Sequence, residues 1–203
     1  QVNSALAQLE PSAYNSLIQT SFDRERQLTR ALTAPERNLT LAPTGDEPDW
    51  ISFALPYGGG NWQNNTGNIA GYNASRYGVL FGAEKRNGLV AGLTTGFHAA
   101  VGGQTVNAKS ADRARTNSTS FDVGLQFNYA QDVMAGPFAY GLGRIGAEDN
   151  QMKRQFDVAG ISGTSKSHWT AWNGSLTLGG GYHFALSDTF SLGPVAALDL
   201  SLI

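Results

Sequence analysis

Residues 121–129 read Phe-Asp-Val-Gly-Leu-Gln-Phe-Asn-Tyr, with a large apolar residue at every odd position and a polar residue or glycine at every even one. Strict period two is the signature of a β-strand with two unlike faces. The same alternation runs through residues 89–102, 172–184 and 190–202. The polar face of a soluble sandwich meets water and is seldom built from glycine and small residues. Here the second face is crowded with them and tolerates charge, while the first is uniformly apolar. That combination predicts a transmembrane antiparallel β-barrel with a polar lumen. The coarse reading places seven strands at 50–57, 76–85, 89–102, 118–130, 136–146, 168–184 and 189–202. Several approach or exceed the ~9–11 residues that cross a bilayer at a tilt.

The connections add a direction. Lys85-Arg86-Asn87-Gly88 is short, and Asn-Gly is a strong tight-hairpin signal. Gln131-Asp132-Val133 and Leu186-Ser187-Asp188 are short as well. Residues 58–72, 103–117 and 147–167 read as long loops. Outer-membrane barrels pair short periplasmic turns with longer extracellular loops. The first strand therefore runs from periplasm to exterior, and whatever precedes it joins the barrel at the periplasmic mouth.

What precedes it is of another kind. Ser12 is a good N-cap, and Tyr14, Leu17, Ile18, Phe22, Leu28 and Leu32 follow at helical spacing, with Asp23, Arg24, Glu25, Arg26 and Arg30 around them. This predicts a helix over 12–32. Pro35, Pro43, Gly45 and Pro48 make 33–49 a linker. The domain division is thus 1–49, helix and linker, and 50–203, barrel. Such a helix either threads the lumen or lies outside it as a stalk. Glycines at 78, 82, 92, 96, 124, 141, 143, 179 and 181 would supply room for threading, or would relieve crowding in a small barrel. The apolar stripe argues for the outside position, because a wet lumen offers it little to bury.

Composition narrows the class. In 203 residues the hydrophobic share is 41% and the mean hydropathy −0.25, with no run near the ~18–20 apolar residues of a spanning helix. Lumen residues dilute a barrel's apolar content in just this way. Cysteine is absent, which excludes a disulfide framework, and a net charge of −2 calls for no nucleic-acid partner. The residues from Gln1 onward lack the basic start and apolar core of a signal peptide, so an exported protein would carry this chain as an internal piece of a longer precursor.

At this point the chain resembles the translocator β-domain of autotransporters, the type V secretion proteins. Ala5-Leu6-Ala7-Gln8-Leu9 with Pro11, Tyr14 and Leu17 resembles the helical segment upstream of the barrel. Asp49-Trp50-Ile51-Ser52-Phe53 resembles a Trp-initiated first strand, Tyr77-Gly78-Val79-Leu80-Phe81-Gly82-Ala83-Glu84 the second, residues 89–96 the third, and Gly136-Pro137-Phe138-Ala139-Tyr140 the fifth. The resemblance implies a twelve-stranded barrel in the bacterial outer membrane that anchors and assists export of an N-terminal passenger. Outer-membrane lipid, the passenger in cis, the barrel-assembly machinery and periplasmic chaperones are the partners it implies. The seven strands read here, and an ending of Ser201-Leu202-Ile203 without a terminal aromatic, make the expected barrel C-terminally incomplete. A porin or adhesin barrel and a soluble ligand-binding β-barrel are the alternatives in other classes.

No catalytic or cofactor motif stands out. Gly58-Gly59-Gly60 lacks the Gly-Lys-Ser/Thr of a phosphate loop. Glu84, His98, Asp122, Gln126, Asn128, His183 and Asp199 share inner-face parity and are the lumen-facing polar candidates. His98 and His183 are read as lumen polar groups rather than a metal pair, for want of further ligands at metal spacing. Glu84, Asp122 and Asp199 read as lumen charges, paired with Arg76, Arg144 or helix residues, rather than as groups that cleave the passenger in the lumen. Trp50, Tyr57, Tyr77, Tyr129, Trp169 and Tyr182 fall near strand ends and are expected to form interface girdles.

Overall fold

The computed structural model describes residues 12–33, 50–66, 70–86, 90–110, 113–132, 135–158, 161–187 and 189–203. Among these residues one helix, α1 (Ser12–Thr33), precedes eight strands: β1 (Trp50–Gln63), β2 (Tyr72–Arg86), β3 (Leu93–Ala108), β4 (Arg115–Ala130), β5 (Gly136–Val158), β6 (Ile161–Ser187), β7 (Phe190–Leu192) and β8 (Val195–Leu202). Each of β1 to β6 pairs antiparallel with the next, and β7 and β8 both lie along the free side of β6. These two are one strand interrupted at Gly193-Pro194. Proline has no N–H to give a ladder, and here only its carbonyl is used, accepting from Tyr182 N at 3.2 Å. Among the described residues no ladder joins β1 to β8, so this is one open sheet, a partial barrel.

The expected helix is present, one residue longer than predicted. The turn at Ala5–Leu9, most of the linker and Asn87-Gly88 lie outside the described residues.

The predicted long loops are a correction. Residues 58–63 and 72–75 continue β1 and β2, 103–108 and 115–117 continue β3 and β4, and 147–158 and 161–167 continue β5 and β6, paired out to Val158 and Ile161. These stretches hide from a hydrophobic pattern because they are mostly polar, with apolar residues such as Tyr72, Val106 and Met152 scattered on the inner face. A ladder needs only backbone groups, and beyond the apolar belt both faces can be wet. The strict alternation of long and short connections is therefore replaced by another asymmetry. At one end, called here the tip end, the hairpin arms project past the apolar belt; at the other, the turn end, they stop near it.

The two faces behave as the alternation predicts. Phe121, Leu125, Ile145 and Trp172 point outward and are 52%, 71%, 67% and 76% exposed, while Leu80, Asp122, Leu142 and Arg144 point inward and are buried. Of the two readings of the glycines, the relief of crowding between strands is the one found. A β-carbon on Gly78 or Gly102 would run into the Tyr57 ring, on Gly82 into Phe53, on Gly124 into His98, and on Gly179 into Tyr140. Gly141 lies under Phe127 on the outer face. These residues make room for side chains of neighbouring strands, rings lying across a strand without side chains, and not for the helix. Among the described glycines, Gly59 is the one whose β-carbon would approach a helix side chain, Gln27 at 3.9 Å.

Candidate functional site: the helix on the inner wall

The helix lies on the inner face of β1 to β5, antiparallel to β1. At the tip end Leu17 packs with Tyr72 and Val106, and Tyr14 meets Trp169 with ring centroids 5.5 Å apart. At the turn end Leu28 and Leu32 pack with Tyr57, Leu80, Ala100 and Leu142, flanked by Ala31, Phe53 and Leu55. The inner wall thus holds two apolar sockets, each filled by leucines of α1. Full burial of such a side chain is worth ~1.5–3 kcal/mol, enough to hold a helix that propensity alone would leave marginal. The buried stripe is Leu17, Thr20, Ser21, Arg24, Glu25, Leu28 and Leu32, one helical face. Ile18, at 45% exposure, lies away from it, although it sat within the apolar stripe of the sequence.

Between the sockets the contact is ionic. Arg24 donates through Nη1 to Glu148 Oε2 at 2.9 Å and through Nη2 to Glu25 Oε1 at 3.1 Å, with Asp122 Oδ1 at 3.6 Å. Arg144 grips Glu25: Nη2 reaches Oε2 at 2.7 Å and the Glu25 backbone carbonyl at 3.1 Å, while Nε reaches Oε2 at 3.2 Å. Glu148 also accepts from Ser21 Oγ at 3.2 Å and from Gln104 Nε2 at 2.6 Å. Two guanidinium groups thus meet three carboxylates, all buried. Buried in this way, each charge depends on its partners, and removing one leaves another uncompensated. Nearer β1 the contacts are more open: Gln27 Nε2 donates to Gly58 O at 2.7 Å, Arg76 Nη1 donates to Thr20 O at 3.1 Å, and Asn61 bonds Asp23. Sockets and charges together set the register of the helix on five strands.

The lumen-facing candidates distribute unevenly. Asp122 joins the network above. Glu84, Gln126 and His98 are buried nearby on the inner wall; Gln126 donates to Glu84, and the His98 ring fills the space over Gly124. Asn128 is half-buried. His183 stacks on Phe138 at the turn end, rings 4.4 Å apart, on a rung opposite Gly136, whereas His98 lies opposite Gly124. The two histidines are not brought together. Asp199 accepts from Thr177 Oγ1 at 2.6 Å and is exposed; α1 meets β6 at Trp169, at the tip end. Among the girdle candidates Trp50, Tyr77 and Tyr182 are exposed on the outer face, and Tyr129 is half-buried with outward parity. Tyr57 and Trp169 instead face inward, against the helix, and this corrects their expected place at the membrane interface.

The expectation that an inner carboxylate pairs with a helix residue holds for Asp122 with Arg24, whereas Glu25 and Glu148 were not singled out. One signal was available. Arg24 with Glu25 lies on the helical face continuing Leu17, Ser21 and Leu28, and Arg144 shares inner parity with Leu142 on β5, but Glu148 fell in the stretch read as a loop. Which of these groups meet, Arg24 with Glu148 and Arg144 with Glu25, was not visible.

Comparison with known proteins adds one finding. A family model described as the autotransporter beta-domain matches residues 53–203. A search of the curated proteins finds no match. An outward apolar belt, an inward charged wall and a family match across well over half of the chain converge, and the chain belongs to the autotransporter β-domain family.

Proposed function

We propose that this chain is the outer-membrane translocator of a longer protein, anchoring it through the strand wall and assisting export of a passenger joined upstream. Residues 50–203 act as the barrel domain, and 1–49 as the connector between passenger and barrel. The observation that carries this is the polarity of α1. Its N-terminal end lies beside Tyr72, Val106 and Trp169 at the tip end, and its C-terminal end beside Phe53 and Leu55, near the start of β1. A passenger preceding the helix therefore leaves the barrel on the side of the projecting hairpins, the extracellular side by the usual asymmetry of these barrels. The role is one of transport, with no chemistry asked of the inner carboxylates. The barrel-assembly machinery and periplasmic chaperones are the partners such a wall needs on its way to the membrane. On this reading Trp50, Tyr77, Tyr129 and Tyr182 sit at the membrane interfaces.

Two measurements test it. In cells making the full-length protein, the passenger is expected to be cut by externally added protease while the barrel migrates as a heat-modifiable species. A passenger protected in intact cells overturns the proposal. Single-channel conductance of the full barrel with and without residues 1–49 tests the helix. Conductance should rise on deletion, and unchanged conductance removes the helix from the pore.

A further inference from the structure

The wall carries one arrangement that transport does not use. Arg115, Lys153 and Lys166 are direct cross-strand partners on β4, β5 and β6. All three side chains are exposed and share the outward parity of Phe121, Ile145 and Trp172. Neighbouring strands lie ~4.7–4.9 Å apart, so three cations fall within about 10 Å along one row. Like charges directly opposite on a sheet destabilise it. Among the described residues none of the three has a carboxylate within ion-pair distance. Of the acidic residues on the same face of β5, Asp149 is held by His168 at 2.6 Å, and Asp157 lies four residues nearer the tip. The row is a cost to the isolated sheet that a bound anion would remove.

Its position says which anion. Six residues nearer the turn end, the same strands carry the rung Phe121–Ala147–Trp172, where the apolar belt ends in an exposed tryptophan. Six residues span ~20 Å along a strand, or about 15 Å in height at a tilt of ~35–45°. Phospholipid headgroups extend only ~5–8 Å beyond the hydrocarbon. Flexible stems let Lys and Arg reach several ångströms back toward the membrane. The row therefore faces a layer thicker than phospholipid, and a glycolipid with phosphorylated sugars fits that height and that charge.

We propose that Arg115, Lys153 and Lys166 form a docking site for the phosphorylated headgroup of glycolipid in the leaflet around the tip end. The site rests on the membrane orientation proposed above. It would tie the polar hairpin arms of β4 to β6 to the membrane surface. Lys153, in the centre of the row, is its principal contact.

The test uses the full-length protein, purified and folded in neutral detergent, titrated with purified lipopolysaccharide. Heat-modifiable migration checks that every variant has folded. The wild type should bind, with affinity falling as salt is raised. At about five-fold per cation near an anionic surface, R115Q/K153Q/K166Q should bind roughly 100-fold more weakly. Chemically dephosphorylated lipopolysaccharide should bind as weakly to the wild type. If the triple variant does not fold, K153Q alone should lose about five-fold. Equal affinity of variant and wild type overturns the proposal. Inorganic phosphate or phosphatidylglycerol micelles binding as tightly as lipopolysaccharide overturn the glycolipid assignment. A chain that stays soluble and monomeric without detergent would instead sink the membrane reading itself, a distinguishable failure.

Discussion

The inner and outer faces of β2 to β5 are built from alternate residues of the same strands, yet each is suited to a different solvent. The outer face exposes Tyr77, Phe81, Phe97, Leu125 and Ile145. The inner face buries Glu84, His98, Asp122, Arg144 and Glu148. In water this is an inverted protein, with apolar surface exposed and charge enclosed. The inversion is resolved if lipid covers the first face and α1 covers the second. The outer face needs only to be apolar, because lipid is a fluid without specific demands. The inner face needs matched partners, because a buried charge without its counter-charge costs several kcal/mol. Tolerance to substitution should differ accordingly.

The largest effect is expected at Arg144. Arg144→Ala leaves Glu25 buried with Arg24 alone, and helix docking should weaken by ~3–5 kcal/mol. Limited proteolysis within α1 should become rapid while the barrel remains resistant, and a helix cut no faster than in the wild type would show that the ionic contact is dispensable. Removing Glu25 as well should cost less than the sum of the two single changes, and the double-mutant cycle reads that coupling directly.

Next comes the turn-end socket. Leu28→Ala removes a fully buried side chain and should cost ~2–5 kcal/mol. Equilibrium unfolding of the folded barrel would measure it. A loss below ~1 kcal/mol would mean that the socket collapses around the gap.

The outer face is tested at Leu125. A cation placed mid-bilayer on the lipid side costs ~2–4 kcal/mol, so Leu125→Arg should reduce the heat-modifiable fraction clearly. Gln126→Arg, one residue away, places its charge beside Glu84 and should assemble far better. Equal yields for the two would break the face assignment.

The smallest effect sharpens the contrast within the helix. Ile18 is large and apolar but lies outside the buried stripe, and Ile18→Ser should change stability by no more than ~0.5 kcal/mol. A loss comparable to that of Leu28→Ala would show that a second surface covers this side of the helix.

Much of this was legible in residue order. The period-two runs named the strands and their faces, so Phe121 and Asp122 could be sent to opposite sides before any pairing was known. The helix over 12–32 came from spacing and an N-cap. Strand length was not legible, because residues 147–151 of β5 are small or polar on both faces and interrupt the hydrophobic period. Nor was the role of the glycines: Gly78 is small because Tyr57, from another strand, lies across it. Tyr57 and Trp169 were sent to the membrane interface by their nearness to strand ends, and the helix drew them inward.

What the sequence by itself determined is the alternation: which side chains share a face, and that one face suits lipid. That follows from backbone geometry, which turns successive residues to opposite sides whatever the neighbours are. Tertiary structure alone decided what the other face meets. Arg24 and Glu25 find Asp122, Arg144 and Glu148 only when a helix is laid antiparallel to β1 across five strands. Such matches depend on distance in space, and a one-dimensional order of residues carries no measure of it.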